Sequence, residues 1–593
     1  MPILESPQTS GSARPGWPAM SIAQAHALLT GPGSMLEVAE CEIRGAPTRI
    51  WKNAPPSLQH ILKSSRGYGD RVFLVFEDER VTFEAFFRAT ASFARELQAA
   101  GVTKGDRVAI IQRNVPEWPV AFFAAASLGA IVTPMNAWWT GAELEYGLID
   151  SGAKVAIVDA ERLERLLATP PSCTALEKLY VTRQAAGSSP IHATSLATPL
   201  EAILGRPNQW IDLPDLPLPD VSLGPDDNAT IFYTSGTTDR PKGALATHRN
   251  IITNIMNLAC VAARNYLRRG ETPPPPDAPA KPRVTLLTIP FFHVSGCFAA
   301  LIPSLFLGGK LVLMHKWEPV KALELIEREK VTLSGGVPTI VWQLIEHPAR
   351  QNYDISSLET ISYGGAPAAP ELVRRIADTF PSSLPSNGWG MTETSATAVS
   401  HSAEDYMNRP DSCGPAVPVA DIKIMNPDGD RELPIGAIGE LWFKGPQVVA
   451  GYWNKPEATA KTFVDGWVKT GDLARIDDEG FCYIVDRAKD MLIRGGENIY
   501  CVEVENVLFE HPAVLDVAVV GLPHRILGEE PAAVIVPRPG VETSEADIRN
   551  YVIQRLAAFK APVKVLFLDA PLPRNVNGKV QKNELKQILM SQT

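Results

Sequence analysis

Five stretches hold the residues with which this chain could do chemistry. Between Ile231 and Gly243 an apolar run opens into Thr234, Ser235, Gly236, Thr237 and Thr238, then Asp239 and Lys242. Glycine lets backbone amides approach an oxyanion, and amides, hydroxyls and an ammonium can share phosphate charge. The spacing is not GxxxxGK[ST], which disfavours a standard P-loop, and small polar residues also make ordinary turns. Gly388-Trp389-Gly390-Met391-Thr392-Glu393 sets an aromatic face between glycines, able to stack on a purine, beside a carboxylate able to hold Mg²⁺ near a phosphate. Asp472 follows Thr470-Gly471, read as a glycine turn, and suits the hydroxyls of a ribose. Between Asp486 and Asn498, Arg487, Lys489, Arg494 and the pair Gly495-Gly496 fall at a change of texture, a composition that suits a hinge. Lys579, after Gly578, reads in isolation as a surface lysine.

These residues need elements to position them. Phe83–Ala100 has helical periodicity, Arg107–Ile111 reads as a strand, Glu117–Leu128 as a helix and Ala130–Thr133 as a strand; a helix over Thr140–Ser151 and a strand over Lys154–Val158 follow. This α/β alternation predicts a parallel sheet, and its return over Val320–Tyr363 a second α/β subdomain. From Cys413 onward, Asp421–Ile424 and Glu440–Phe443 predict short antiparallel strands in a small β-barrel-like part. After Asp486, helices near Val502–His511 and Glu545–Leu556 and strands near Val517–Val520 and Ala532–Val536 predict a small mobile α+β domain. The expected division is 1–50 as a partly disordered extension, 51–488 as the large N-terminal domain and 489–593 as the mobile C-terminal domain.

A chain of 593 residues exceeds what one core usually supports. The net charge of −10, with no Lys/Arg stripe, argues against nucleic acid as a partner. Seven scattered cysteines without a CxxC pair argue against zinc and disulfides, and for a reducing, cytoplasmic setting. Met1 to Met20 lacks the apolar core of a secretory signal, and Met590-Ser591-Gln592-Thr593 is not a peroxisomal address. The apolar stretches Pro119–Met135 and Pro290–Gly309 are broken by Gly129, His293 and Pro303, and predict buried helix–turn–strand units in place of transmembrane segments. Arg268–Pro282, with four prolines at Pro273–Pro276, predicts an exposed loop.

With the five motifs in this order, the chain resembles the adenylate-forming superfamily of acyl-CoA synthetases, firefly-type luciferases and nonribosomal-peptide adenylation domains, over residues 51–590. The resemblance implies that Thr234, Ser235, Gly236, Thr237, Thr238 and Lys242 cradle the phosphates of ATP. It implies that Gly364, Gly365 and Ala366 flank adenine, and that Gly388, Trp389, Gly390, Met391 and Thr392 contact the nucleotide, with Trp389 stacking where the family has Tyr. Thr234 and Glu393 match the Mg²⁺ positions, Asp472 the ribose acid and Arg487 a nucleotide-contacting arginine. Lys579 matches the lysine that meets the reacting carboxylate and the α-phosphate, Lys489 the hinge, and His293 the mouth of the acyl pocket. Arg494, Gly495 and Gly496 match the face that comes in to help form the pantetheine tunnel for coenzyme A. Asp239 departs from the family's Gly, and a modulation of rate or ATP affinity is expected there.

The activity implied is a ligase that uses ATP and Mg²⁺ to turn a carboxylic acid into its acyl-adenylate, releasing pyrophosphate, and then coenzyme A to form acyl-CoA and AMP. Beside it stand an acyl-AMP ligase loading a separate carrier protein, a luciferase-type oxygenase, and an inactive nucleotide-binding homologue suggested by Asp239. The Leu/Val/Ile/Phe-rich texture, with no evident cationic pocket residue, makes an apolar acid the expectation: medium- or long-chain fatty first, aryl or alicyclic second. A homodimer is the expected oligomer.

Overall fold

The computed structural model describes residues 16–168, 175–184, 196–234, 240–275, 281–366, 368–575 and 578–591. Its large domain carries two eight-stranded sheets. In the first, the strands Ala197–Pro199, Lys178–Thr182, Val155–Asp159, Arg107–Ile111, Ile131–Pro134 and Asn228–Tyr233 run parallel, and Gly243–Thr247 and Gly451–Tyr452 close one edge antiparallel. The second orders Ala396–Ser402, Leu384–Met391, Thr360–Gly364, Leu333–Gly336, Val284–Leu287, Lys310–Leu313, Val72–Phe76 and Glu79–Thr82, parallel except at its two edges.

The apolar runs read as strands are buried because a parallel sheet is covered on both faces. Val155 through Asp159 are all buried, and so is every residue of the helix Glu117–Ser127. That full burial accounts for the span-like stretch Pro119–Met135; among the described residues no helix is long and apolar enough to cross a membrane. Helix starts follow local chemistry. Thr82 caps Phe83–Ala99 by accepting from the Ala85 amide, and Thr140 with Glu143 forms a capping box on Gly141–Ser151.

The third sheet is antiparallel, with Asp421–Met425, Gly439–Lys444, Trp467–Ile476, Phe481–Arg487 and Gly414–Pro415 in that order. The small C-terminal domain is a five-stranded sheet led by Val514–His524 and Gly528–Pro537, packed with the helices Cys501–Phe509, Glu545–Ile553 and Lys582–Ser591. The chain is thus a mixed α/β protein with a large N-terminal and a small C-terminal domain.

Part of the expected extension is built into the fold. The helix Ile22–Leu29 packs on the helix His248–Arg268, where Arg268 Nη1 donates to the Met20 carbonyl at 2.8 Å. The pair Val38–Ile43 and Ala46–Trp51 forms a hairpin after it. Residues 1–15, Cys173, Pro276 and the loop residues Ser235, Gly236, Thr237, Thr238 and Asp239 lie outside the described residues.

Candidate active site

The site is assembled from strand ends in three sheets and one turn of the C-terminal domain. Thr234 follows the strand Asn228–Tyr233, and Lys242 precedes its antiparallel partner Gly243–Thr247, so the phosphate-loop candidate is a hairpin connection. Its base is closed by the Thr234 amide on the Lys242 carbonyl at 2.8 Å and by the Lys242 amide on Thr234 Oγ1 at 3.4 Å. Glu393 lies in the short turn after the strand Leu384–Met391, buried, and accepts the hydroxyl of Tyr452 at 2.6 Å. The Lys242 ammonium sits 5.4 Å from the centre of that same tyrosine ring.

Asp472 corrects one expectation. It follows no turn but stands inside the ten-residue strand Trp467–Ile476, where Gly471 adopts φ +70° and the pairing with Gly439–Lys444 shifts register. Across the ladder Asp472 faces Arg487, whose Nε lies 3.3 Å from Oδ1. The other carboxylate oxygen accepts the indole N–H of Trp389 at 2.7 Å. Trp389 therefore both presents an aromatic face and orients the acid.

Lys579 is no surface lysine. Its turn is tied by the Asn575 amide on the Lys579 carbonyl at 2.8 Å and by the Lys579 amide on Asn575 Oδ1 at 3.0 Å. Gly578 in this turn adopts φ +73°, and a Cβ there would fall 2.7 Å from Val337 of the large domain. Burial, with Arg487 beside it, pushes the Lys579 ammonium down to about 8, against the pull of Asp472 and Glu393. Burial likewise holds Asp472 and Glu393 above the usual carboxylate range.

An inner cavity of about 730 Å³ gathers Thr234, Lys242, His293, Gly364, Gly365, Gly390, Met391, Thr392, Glu393, Asp472, Arg487, Lys489 and Lys579. A larger cleft of about 2040 Å³, between the two domains, adds Ala366, Gly388 and Trp389. His293 is half-buried on the inner wall beside Phe292. The hairpin bearing Arg494, Gly495 and Gly496 lines neither hollow; Arg494 is paired instead with Glu530 at 2.9 Å. The Glu393 carboxylate and the Thr234 hydroxyl are hard oxygen donors on one cavity wall, and fit a Mg²⁺ ion that arrives with its phosphates.

Two residues escaped the sequence reading. Tyr452 sits in a two-residue edge strand whose Gly-Tyr dipeptide carries no local signal of its contact with Glu393. Arg113 overturns the expectation of a pocket without cations. Its guanidinium lies 4.6 Å from the Trp138 ring, Nη1 donates to the His315 carbonyl at 3.3 Å, and both residues line the inner cavity.

Comparison with known proteins agrees with this geometry. The family model "AMP-binding enzyme" matches residues 61–453, and "AMP-binding enzyme C-terminal domain" matches 503–579. A feruloyl-CoA synthase of Amycolatopsis sp is 35% identical over 507 residues, covering 86% of this chain and 94% of the relative. The long-chain-fatty-acid–CoA ligase FadD13 of Mycobacterium tuberculosis is 34% identical over 512 residues, covering 86% and 93%. Among solved structures, ATP-bound MatB from Rhodopseudomonas palustris superposes with a TM-score of 0.76 at 29% identity, over 90% of this chain and 98% of that one. The chain belongs to the adenylate-forming AMP-binding enzymes, in the acyl-CoA synthetase family.

Proposed function

We propose that this ATP-dependent, AMP-forming acid–CoA ligase activates a compact apolar acid, aryl or alicyclic ahead of long-chain fatty. The observation that carries this reading is the inner cavity. Its roughly 730 Å³ must hold the phosphate side of the nucleotide, by Thr234, Lys242 and Lys579, as well as the acid. The remaining wall includes Trp138, Phe292, Val294, Met314 and Trp317, with Trp138 and Phe292 edge to face at 5.0 Å, and the Arg113 guanidinium is covered by the Trp138 ring. Aromatic walls prefer a flat ring, and the space left suits a ring with a short side chain better than a long extended one. This reverses the order expected from composition. The relatives are a CoA synthase and a CoA ligase, which favours CoA ligation over carrier loading, oxygenation or an inactive homologue. A panel of benzoate, cinnamate, cyclohexanecarboxylate, octanoate and palmitate, with AMP and thioester followed together, tests it. A ring-bearing acid should give the highest kcat/KM; palmitate at the top would reverse the assignment.

In the first half-reaction the carboxylate attacks the α-phosphorus and pyrophosphate leaves. No side-chain nucleophile is needed, so catalysis is positioning and charge neutralisation. The half-buried Lys579 supplies one charge and Lys242 another, and Glu393 and Thr234 would hold a Mg²⁺ ion, which would add neutralisation at the phosphates. Trp389 stacks on adenine while Asp472 and Arg487 hold the ribose side.

Trp389→Phe keeps the stack and removes the donor to Asp472. A hydrogen bond to a charged group is worth about 1.5–3 kcal/mol. The KM for ATP should therefore rise about tenfold, with kcat little changed and the preference for ATP over 2′-deoxy-ATP narrowed. An unchanged KM with an unchanged preference rules out this role for the indole.

In the second half-reaction the C-terminal domain, residues 489–593, turns about Lys489 and brings Arg494, Gly495 and Gly496 to the adenylate to admit the thiol of coenzyme A. Support comes from the place of that hairpin outside the lining of both hollows. A cytoplasmic location fits the six described cysteines, all free. The expected homodimer is checked by light scattering.

A further inference from the structure

The helix Pro338–Glu346 of the large domain is touched by the C-terminal domain at both ends. At its start, Val337 packs against Gly578, the residue before Lys579. At its far end, Glu346 accepts a hydrogen bond from Arg538 Nη1, and Arg375 approaches the same oxygen at 3.6 Å. Nine residues of helix separate the two contacts by about 13 Å. Arg538 follows the strand Gly528–Pro537 and is anchored to its own domain by its amide on the Ala513 carbonyl at 2.9 Å. One contact alone would let the small domain pivot; two contacts this far apart fix its tilt, and with it the place of Lys579.

We propose that Glu346 and Arg538 form an interdomain latch that holds Lys579 in the adenylate-forming position and opens for thioester formation. The latch rests on the two-arrangement reading given above. Its side chains are 19% and 25% exposed, enough shielding for the pair to bias an equilibrium and enough water for it to part. A further cross-domain ion pair, Arg374 with Glu510, is longer at 3.7 Å and about half exposed, so solvent screens it. Arg375 makes opening reversible. When Arg538 leaves, Glu346 keeps a guanidinium beside it, and no half-buried carboxylate is stranded.

The test measures both half-reactions on the full-length protein. Acid-dependent exchange of pyrophosphate into ATP reports adenylation, and synthetic acyl-AMP with coenzyme A reports the second step alone. Arg538→Ala and Glu346→Ala should each lower exchange about tenfold, the effect of one charge-assisted bond on a conformational equilibrium. Acyl-AMP should be consumed at an equal or higher rate. The double variant should lose no more than the worse single, and Arg538→Lys should recover much of the exchange while reporting on folding independently. An equal fall in both half-reactions, additive loss in the double variant, or unchanged exchange overturns the latch. Lys579→Ala, run alongside, separates the two ideas. If it splits the half-reactions and Arg538→Ala does not, the latch is wrong and the two-arrangement reading stands; if it fails to split them, both fall.

Discussion

Lys579→Ala is expected to lose about a hundredfold or more in adenylate formation, yet to convert supplied acyl-AMP and coenzyme A to thioester at close to the original rate. The size follows from what the side chain does. A preorganised charge aimed at a developing anion in a site closed to water contributes on the order of a hundred- to a thousandfold in rate. Lys579 is half-buried, its turn is held by Asn575, and the nearby guanidinium of Arg574 is already paired with Asp516 at 2.7 Å. The same burial gives the prediction a pH signature. With the ammonium lowered to about 8 in the free enzyme, it is charged below that value and neutral above it. Activity that needs the charge is present at lower pH and fades as pH rises through about 8, so kcat/KM for ATP in the exchange assay should fall on the alkaline side. Lys579→Arg keeps its charge throughout and should flatten that limb. Equal loss of the two half-reactions in Lys579→Ala would falsify the role given to this lysine.

The fold was legible where burial is two-sided. Val155 to Val158 and the helix after Glu117 are apolar throughout because sheet and helices cover both faces, and a run of that kind announces itself locally. Thr234 and Glu393 were legible for another reason: each sits at the end of a strand or in a tight turn, so its neighbours in sequence are also its neighbours in space. Lys579 was legible only through the order of the five motifs, because its own turn reads as surface and its setting comes from the large domain. Gly471-Asp472 misled because a Gly-Asp dipeptide signals a turn, whereas cross-strand pairing with Arg487 keeps it within a strand. Tyr452, Arg113 and the Glu346–Arg538 pair were invisible because each acts through a contact distant in sequence: 59 residues for Tyr452 and Glu393, 202 for Arg113 and His315, 192 for Arg538 and Glu346. Composition likewise could not place the aromatic residues of the cavity wall, since Trp138, Phe292 and Trp317 come from three separate connections.

Lys489→Pro is expected to do the reverse of Lys579→Ala, losing about tenfold or more in thioester formation from acyl-AMP while adenylation falls only a few-fold. The link between the third sheet and the C-terminal sheet is short. The strand Phe481–Arg487 ends and Leu492–Arg494 begins after residues 488–491, and the turn is closed by the Asp490 and Met491 amides on the Arg487 carbonyl at 2.9 and 3.1 Å. The reorientation proposed for the second step would have to be absorbed by a few backbone dihedrals there. Proline fixes its own φ near −65° and drives the preceding residue, Ala488, toward extended backbone. Some adjustment of the present turn accounts for the small loss in adenylation; the lost freedom accounts for the large loss in the second step. Lys489 also lines the inner cavity and helps depress Lys579, so the side chain needs its own control. Lys489→Ala removes the charge and leaves the backbone free. If it loses as much thioester formation as Lys489→Pro, the ammonium matters and the hinge does not; if it keeps that step while proline abolishes it, backbone rotation at this position is what carries the small domain from one half-reaction to the other.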